Sequence, residues 1–152
     1  MRRKDRALPE QEAASLLDSA EYGLLSTVAA DGRPYGVPLN YCVIERCVYF
    51  HCAGEGHKID NIENNQSVSF CVVGETEVQP DKFATNYESV ILAGEVAEVF
   101  DHEKQVGLEG LLHKYSPGFL EKGKKYIDAM ASKTRVFKIT ATQLSGKSRK
   151  EK

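Results

Sequence analysis

The stretch with the clearest chemical content is VYFHCAGEGHKIDNI, residues 48–62. A strand-like run ends in Gly54-Glu55-Gly56, and Lys58 follows where a helix can begin. Glycines let backbone N–H groups approach an anion, a helix start adds positive potential, and a lysine adds a full charge. Those are the requirements of a terminal phosphate. The plainer alternative is a glycine turn followed by a surface lysine. The third glycine of a dinucleotide fingerprint is absent. His51 precedes the loop and is read either as a structural histidine or as a proton donor beside a ligand.

Three other stretches carry weaker signals. In PYGVPLNY, residues 34–41, Pro34, Gly36 and Pro38 interrupt strand pairing and leave backbone groups for another partner. The edge of a flat heteroaromatic ring would satisfy them, and so would water. In NYESV, residues 86–90, Glu88 and Ser89 sit at the mouth of an apolar strand. ATQLSGKS, residues 141–148, fits a loosened P-loop pattern, but no following helix can cradle phosphates. Lys147 can still reach a ligand. No G-x-S-x-G or H-E-x-x-H motif is present.

The elements that must position these residues follow from periodicity. Residues 9–20 form an amphipathic helix with Ala13, Leu16 and Leu17 on one stripe. Strands are expected over 22–30, 33–44, 47–53, 68–75, 87–100 and 135–142. Asp31-Gly32 makes a hairpin between the first two, and Gly94 marks a bulge. A short helix follows Gly56, and Thr76–Thr85 reads as a polar loop. Asp101 caps a helix through Tyr115, and a further helix spans 119–131. Short turns between six strands argue for an antiparallel barrel with peripheral helices, not a parallel α/β sheet.

The chain has 152 residues and a net charge of −2, the length of a single domain over 1–152. Basic residues concentrate in tails at about 1–6 and 145–152, each +3, leaving −8 on the body. An acidic body argues against nucleic acid as a partner. No apolar run suits a membrane span, and the N-terminal sequence lacks the apolar segment of a secretory signal. Cys42, Cys47, Cys52 and Cys71 lie in apolar sequence without C-x-x-C spacing. They read as free buried thiols in the cytoplasm, not as metal ligands.

Taken together, several motifs resemble the nitroimidazole-resistance (Nim) proteins of the pyridoxamine 5′-phosphate oxidase-like flavoprotein superfamily. They are Tyr22-Gly23, the run Asp31 to Tyr41, Tyr49-Phe50-His51, Gly54 to Lys58, Tyr87 to Val90 and Ser145-Gly146-Lys147. The resemblance implies a six-stranded antiparallel split β-barrel, FMN as cofactor, and a homodimer with FMN at its interface. It implies that Lys58 meets the phosphate and that Val37, Pro38, Leu39 and Asn40 meet the isoalloxazine edge. His51, Cys52 and Ala53 would line the site, with Tyr87, Glu88 and Ser89 contributed by the second subunit. The activity implied is reduction of a small molecule such as a nitroaromatic, with His51 as proton donor. A vitamin B6-phosphate oxidase and a non-catalytic flavin or haem module are the alternatives. The chain lacks the arginine-rich C-terminal segment expected of the oxidase itself.

Overall fold

Turn chemistry sets the first hairpin. Strand β1 (Gly23–Val28) pairs antiparallel with β2 (Pro34–Leu39) around Asp31-Gly32, with Gly32 at φ 83°. The Asp31 carboxylate accepts from the Arg33 backbone N–H at 3.1 Å and from its guanidinium. A second hairpin joins β3 (Cys42–Ile44) to β4 (Cys47–Cys52). Glu45 and Arg46 both take left-handed backbone, φ 50° and 68°, as a two-residue turn of this hand requires. The computed structural model describes residues 3–150.

The expected single run over 33–44 is broken at Asn40-Tyr41. Tyr41 is fully buried. Its hydroxyl donates to the Leu17 carbonyl, and its backbone N–H donates to the Tyr115 hydroxyl at 3.0 Å. These bonds hold its backbone away from either ladder. The consequence is a sheet of seven strands, in the order β2-β1-β5-β6-β7-β4-β3. Its two edges, β2 and β3, are separated in sequence by two residues. Three peptide steps reach ~11 Å at most, so the sheet must curl until its edges approach. It is an antiparallel half-barrel of the split type, with the split at Asn40-Tyr41.

Strands β5 (Ser67–Gln79) and β6 (Ala84–Val99) continue through the expected polar loop 76–85. Only Pro80–Lys82 and Phe83, at φ 49°, make the turn. Thr76, Val78 and Thr85 are strand formers, and Glu77 pairs with Asn86. The β6–β7 register shifts between Ala93 and Gly94, where the glycine predicts a bulge. A Cβ on Gly94 would lie 2.3 Å from the Thr140 carbonyl oxygen. Strand β7 (Arg135–Arg149) runs past the expected end at Thr142. Residues 145–149 are therefore paired strand, not a solvated tail. Of the two basic ends, Met1, Arg2, Glu151 and Lys152 lie outside the described residues.

Helix α1 (Glu10–Ser19) buries Ala13 and Leu17 against the barrel interior. That interior holds Leu25, Phe50, Phe70, Leu92, Phe137 and Ile139. Burying each such side chain contributes about 1.5–3 kcal/mol. Helices α3 (Asp101–Tyr115) and α4 (Leu120–Met130) cover the outer face of β3, β4 and β7. Leu108, Leu111 and Ile127 meet Tyr49 and Val136 there. Asp101 is not a cap: it is the first residue of α3, at φ 48°, and no side chain caps the helix. The outer face of β1, β5 and β6 lacks such a cover. Leu24, Val73 and Ile91 are 42%, 59% and 50% exposed on it. Among the cysteines, Cys42 and Cys52 are buried and Cys47 and Cys71 half-buried, all four as thiols. No helix among the described residues is long and apolar enough to cross a membrane.

Candidate functional site

Strand alternation sorts the residues of β2 and β4. Val37 and Leu39 pack on the barrel core, while Pro38 and Asn40 face outward and are exposed. On β4, Phe50 and Cys52 point inward and His51 points outward. Cys52 therefore offers the site only its backbone. Its thiol lies in the core, where burial raises its pKa. Ala53 is exposed just beyond the strand. Asn40 and His51 border one cleft, of about 580 Å³, whose other walls are α3 and α4.

Lys58 stands on the first turn of α2 (His57–Asn64), half-buried. Gly56 precedes it at φ 139°, a conformation that a side chain would strain. The Gly56 carbonyl accepts from the N–H groups of Ile59 at 2.8 Å and Asp60 at 3.1 Å. No side chain caps α2, so the earlier N–H groups of its first turn point at the loop. Burial lowers the pKa of His51, and the Lys58 charge lowers it further. His51 itself stands exposed on the outer face of β4.

Residues with no sequence signal hold this arrangement. The buried Asn61 amide donates to Thr27 Oγ1 at 2.9 Å, and that hydroxyl donates to the Tyr35 carbonyl at 3.4 Å. The His57 and Tyr35 rings lie 4.2 Å apart. Together they tie the start of α2 to β1 and β2. The Arg135 guanidinium pairs with Glu98 at 2.6 Å and Glu63 at 2.9 Å, and reaches the Gly54 carbonyl at 3.5 Å. Arg135 opens β7 opposite Cys52, so it braces the glycine loop from below. An arginine at a strand start and an asparagine inside a helix carry no spacing that marks them as such.

The remaining expected residues gather elsewhere. Tyr87, Glu88 and Ser89 pair with Arg149, Ser148 and Lys147. The Lys147 ammonium lies 5.6 Å from the centre of the Tyr87 ring. Its hydrogen bond, with help from Arg6, lowers the pKa of the Tyr87 hydroxyl. Glu88 accepts from Lys150 at 2.7 Å. On β7 the partner of His51 is Val136 and the partner of Ser89 is Lys147. At ~3.3 Å per residue, the eleven residue steps from Val136 to Lys147 make a contour of ~36 Å. Along β7 the structure thus sets the rung of His51 apart from the rung of Ser89 and Lys147.

Comparison with known proteins matches this architecture. A candidate 5-nitroimidazole antibiotic resistance protein from Bacteroides thetaiotaomicron superposes with TM-score 0.78 at 23% identity, over 93% of this chain and 86% of that one. An FAD-binding protein from Mesorhizobium loti gives TM-score 0.68 at 24% identity, over 95% and 98%. An FAD and haem binding protein from Mycobacterium smegmatis gives 0.78 at 16% identity, over 94% and 72%. No curated protein matches the chain. At these identities the likeness is one of fold. The family model for pyridoxamine 5′-phosphate oxidase matches residues 9–148, nearly the whole chain, which belongs to that family.

Proposed function

We propose that this protein is a cytoplasmic FMN-dependent oxidoreductase of the nitroreductase type, working on a small organic molecule as a homodimer with FMN at the subunit interface. The observation that carries this reading is the pairing of an open strand edge with an uncapped, lysine-bearing helix start. Strand β2 pairs on one side only, with β1. Its other edge leaves backbone donors and acceptors along Val37–Asn40 for the polar edge of a planar ring. Gly56 and Lys58 supply what a terminal phosphate needs. The family membership and the flavin-binding neighbours support the same cofactor class. The Bacteroides neighbour supports nitro-compound reduction as the activity.

The dimer is supported by the separation of the two residue groups. One ligand touching both Lys58 and Tyr87–Ser89 is reached most simply from two copies of the chain. The exposed Leu24, Val73 and Ile91 give the uncovered sheet face an apolar surface suited to such an interface.

In this reading the flavin supplies two-electron transfer. The chain binds, orients and sets protonation. Lys58 compensates the phosphate charge. The β2 backbone fixes the ring edge, and Cys52 and Ala53 contribute backbone beside it. His51 is poised as a proton donor at the cleft mouth. A phosphate paired with Lys58 relieves the repulsion that lowers the His51 pKa, so ligand binding favours its protonated form.

A second reading is a haem- or flavin-binding module without turnover. The accessible His51 beside an apolar cleft favours it, as does the Mycobacterium smegmatis neighbour. The visible spectrum of the purified protein, with release and identification of the chromophore, separates the two. A flavin spectrum with FMN released is expected, together with loss of FMN from a folded Lys58→Ala variant. A haem spectrum, or a colourless protein that takes up no FMN, overturns the reading. Oxygen uptake with pyridoxamine 5′-phosphate would assign the vitamin B6-phosphate oxidase activity instead.

A further inference from the structure

The cleft between α3 and α4 is not needed to hold a flavin phosphate or the ring edge on β2. Its volume, about 580 Å³, lies in the range of small-molecule pockets. Leu108, Leu111 and Met130 make its walls apolar, and Asn40 and His51 add polar groups to the lining. The side chains of Phe119 and Tyr126 line it while remaining 68% and 67% exposed. Exposed aromatics bordering a concavity offer ring faces to a ligand. The lining includes Lys122 and no acidic side chain, in a chain whose body carries an excess of carboxylates.

We propose that this cleft is a binding pocket for a planar aromatic anion, and that His51 and Asn40 bring one edge of that ligand next to the flavin. The apolar walls and aromatic rim take the ring, and Lys122 at the mouth takes the carboxylate or an equivalent anionic group. Concavity, a volume of about 580 Å³ and a lining of apolar side chains with a few polar groups favour a small molecule over a docked protein segment. The inference deepens the flavoenzyme reading by naming the ligand class, and it rests on that reading only for the adjacency to flavin.

The test is calorimetric titration of the purified full chain, with and without added FMN, using 2-naphthoate as probe. Adamantane-1-carboxylate serves as the non-planar control and naphthalene-2-methylammonium as the cationic one. Saturable 2-naphthoate binding is expected, at least tenfold tighter than either control. Lys122→Glu, at an exposed position, weakens it about fivefold or more by reversing a surface charge. Ala131→Trp, which fills the α4 end of the cleft, abolishes it. Absence of binding, equal binding of all three probes, or binding indifferent to Lys122→Glu overturns the proposal. A protein that takes up no FMN yet binds 2-naphthoate in this pattern overturns the flavoenzyme reading and leaves the pocket standing.

Discussion

The two ends of β7 border expected binding residues that are held in different ways. At the Lys58 end the side chains are fixed by buried or multiply bonded partners. Asn61 is 3% exposed, and Arg135 bridges two carboxylates and a loop carbonyl. At the Lys147 end half-buried Tyr87, Glu88 and Lys147 are held by strand pairing, and one exposed arm, Lys150, joins them. The side chain of Lys150 is 66% exposed where it meets Glu88. A rigid end can bind a ligand with little loss of conformational entropy.

This contrast predicts unequal responses to mutation. Asn61→Ala should have the largest effect. It deletes a buried donor and leaves Thr27 Oγ1 with its bond to the Tyr35 carbonyl alone, at a cost of about 2 kcal/mol in urea unfolding. FMN affinity should fall with it, because α2 loses its tie to β1 and β2. A loss below about 0.5 kcal/mol would show that the rigid end does not depend on this network.

The pH dependence comes next. The His51 pKa is depressed in the folded chain by burial and by Lys58. As pH falls below the ordinary histidine value of about 6.5, the unfolded chain takes up a proton before the folded one does. The His51 contribution to stability is therefore present above that value and lost as pH falls through the folded pKa. Unfolding followed between pH 7 and pH 5 should show a shallower decline in His51→Gln than in the unaltered protein. Parallel slopes would remove His51 as a titrating group.

The smallest effect on stability is expected at the other end. Lys147→Ala should change stability by no more than about 1 kcal/mol, the scale of its contact with the Tyr87 ring. In the dimer reading it should still weaken FMN binding. A variant with both stability and FMN affinity untouched would take Lys147 out of the site and sharpen the contrast between the ends.

Much of this molecule was legible because its signals are local. Asp31-Gly32 marks a hairpin, Gly94 a bulge, and Gly56 followed by Lys58 a helix start. Each depends on the conformational freedom or charge of a few neighbouring residues. The strand lengths were less legible. Thr76–Thr85 is polar enough to pass for a loop and becomes strand because β5 and β6 pair along it. Residues 145–149 look like a basic tail and become strand because β6 offers a partner edge.

The sequence by itself determined the turns, the inward and outward faces of each strand, and the motif order that resembles a flavoprotein family. Only the tertiary structure decided that Asn40-Tyr41 is where the barrel splits, since that depends on Leu17 and Tyr115 reaching Tyr41 across 24 and 74 residues. It also decided that Arg135 and Asn61 brace the glycine loop, and that α3 and α4 enclose a cleft beside His51. Turns and alternation follow from short-range sterics. Edges, braces and clefts follow from contacts between residues far apart in the chain, which no local pattern encodes.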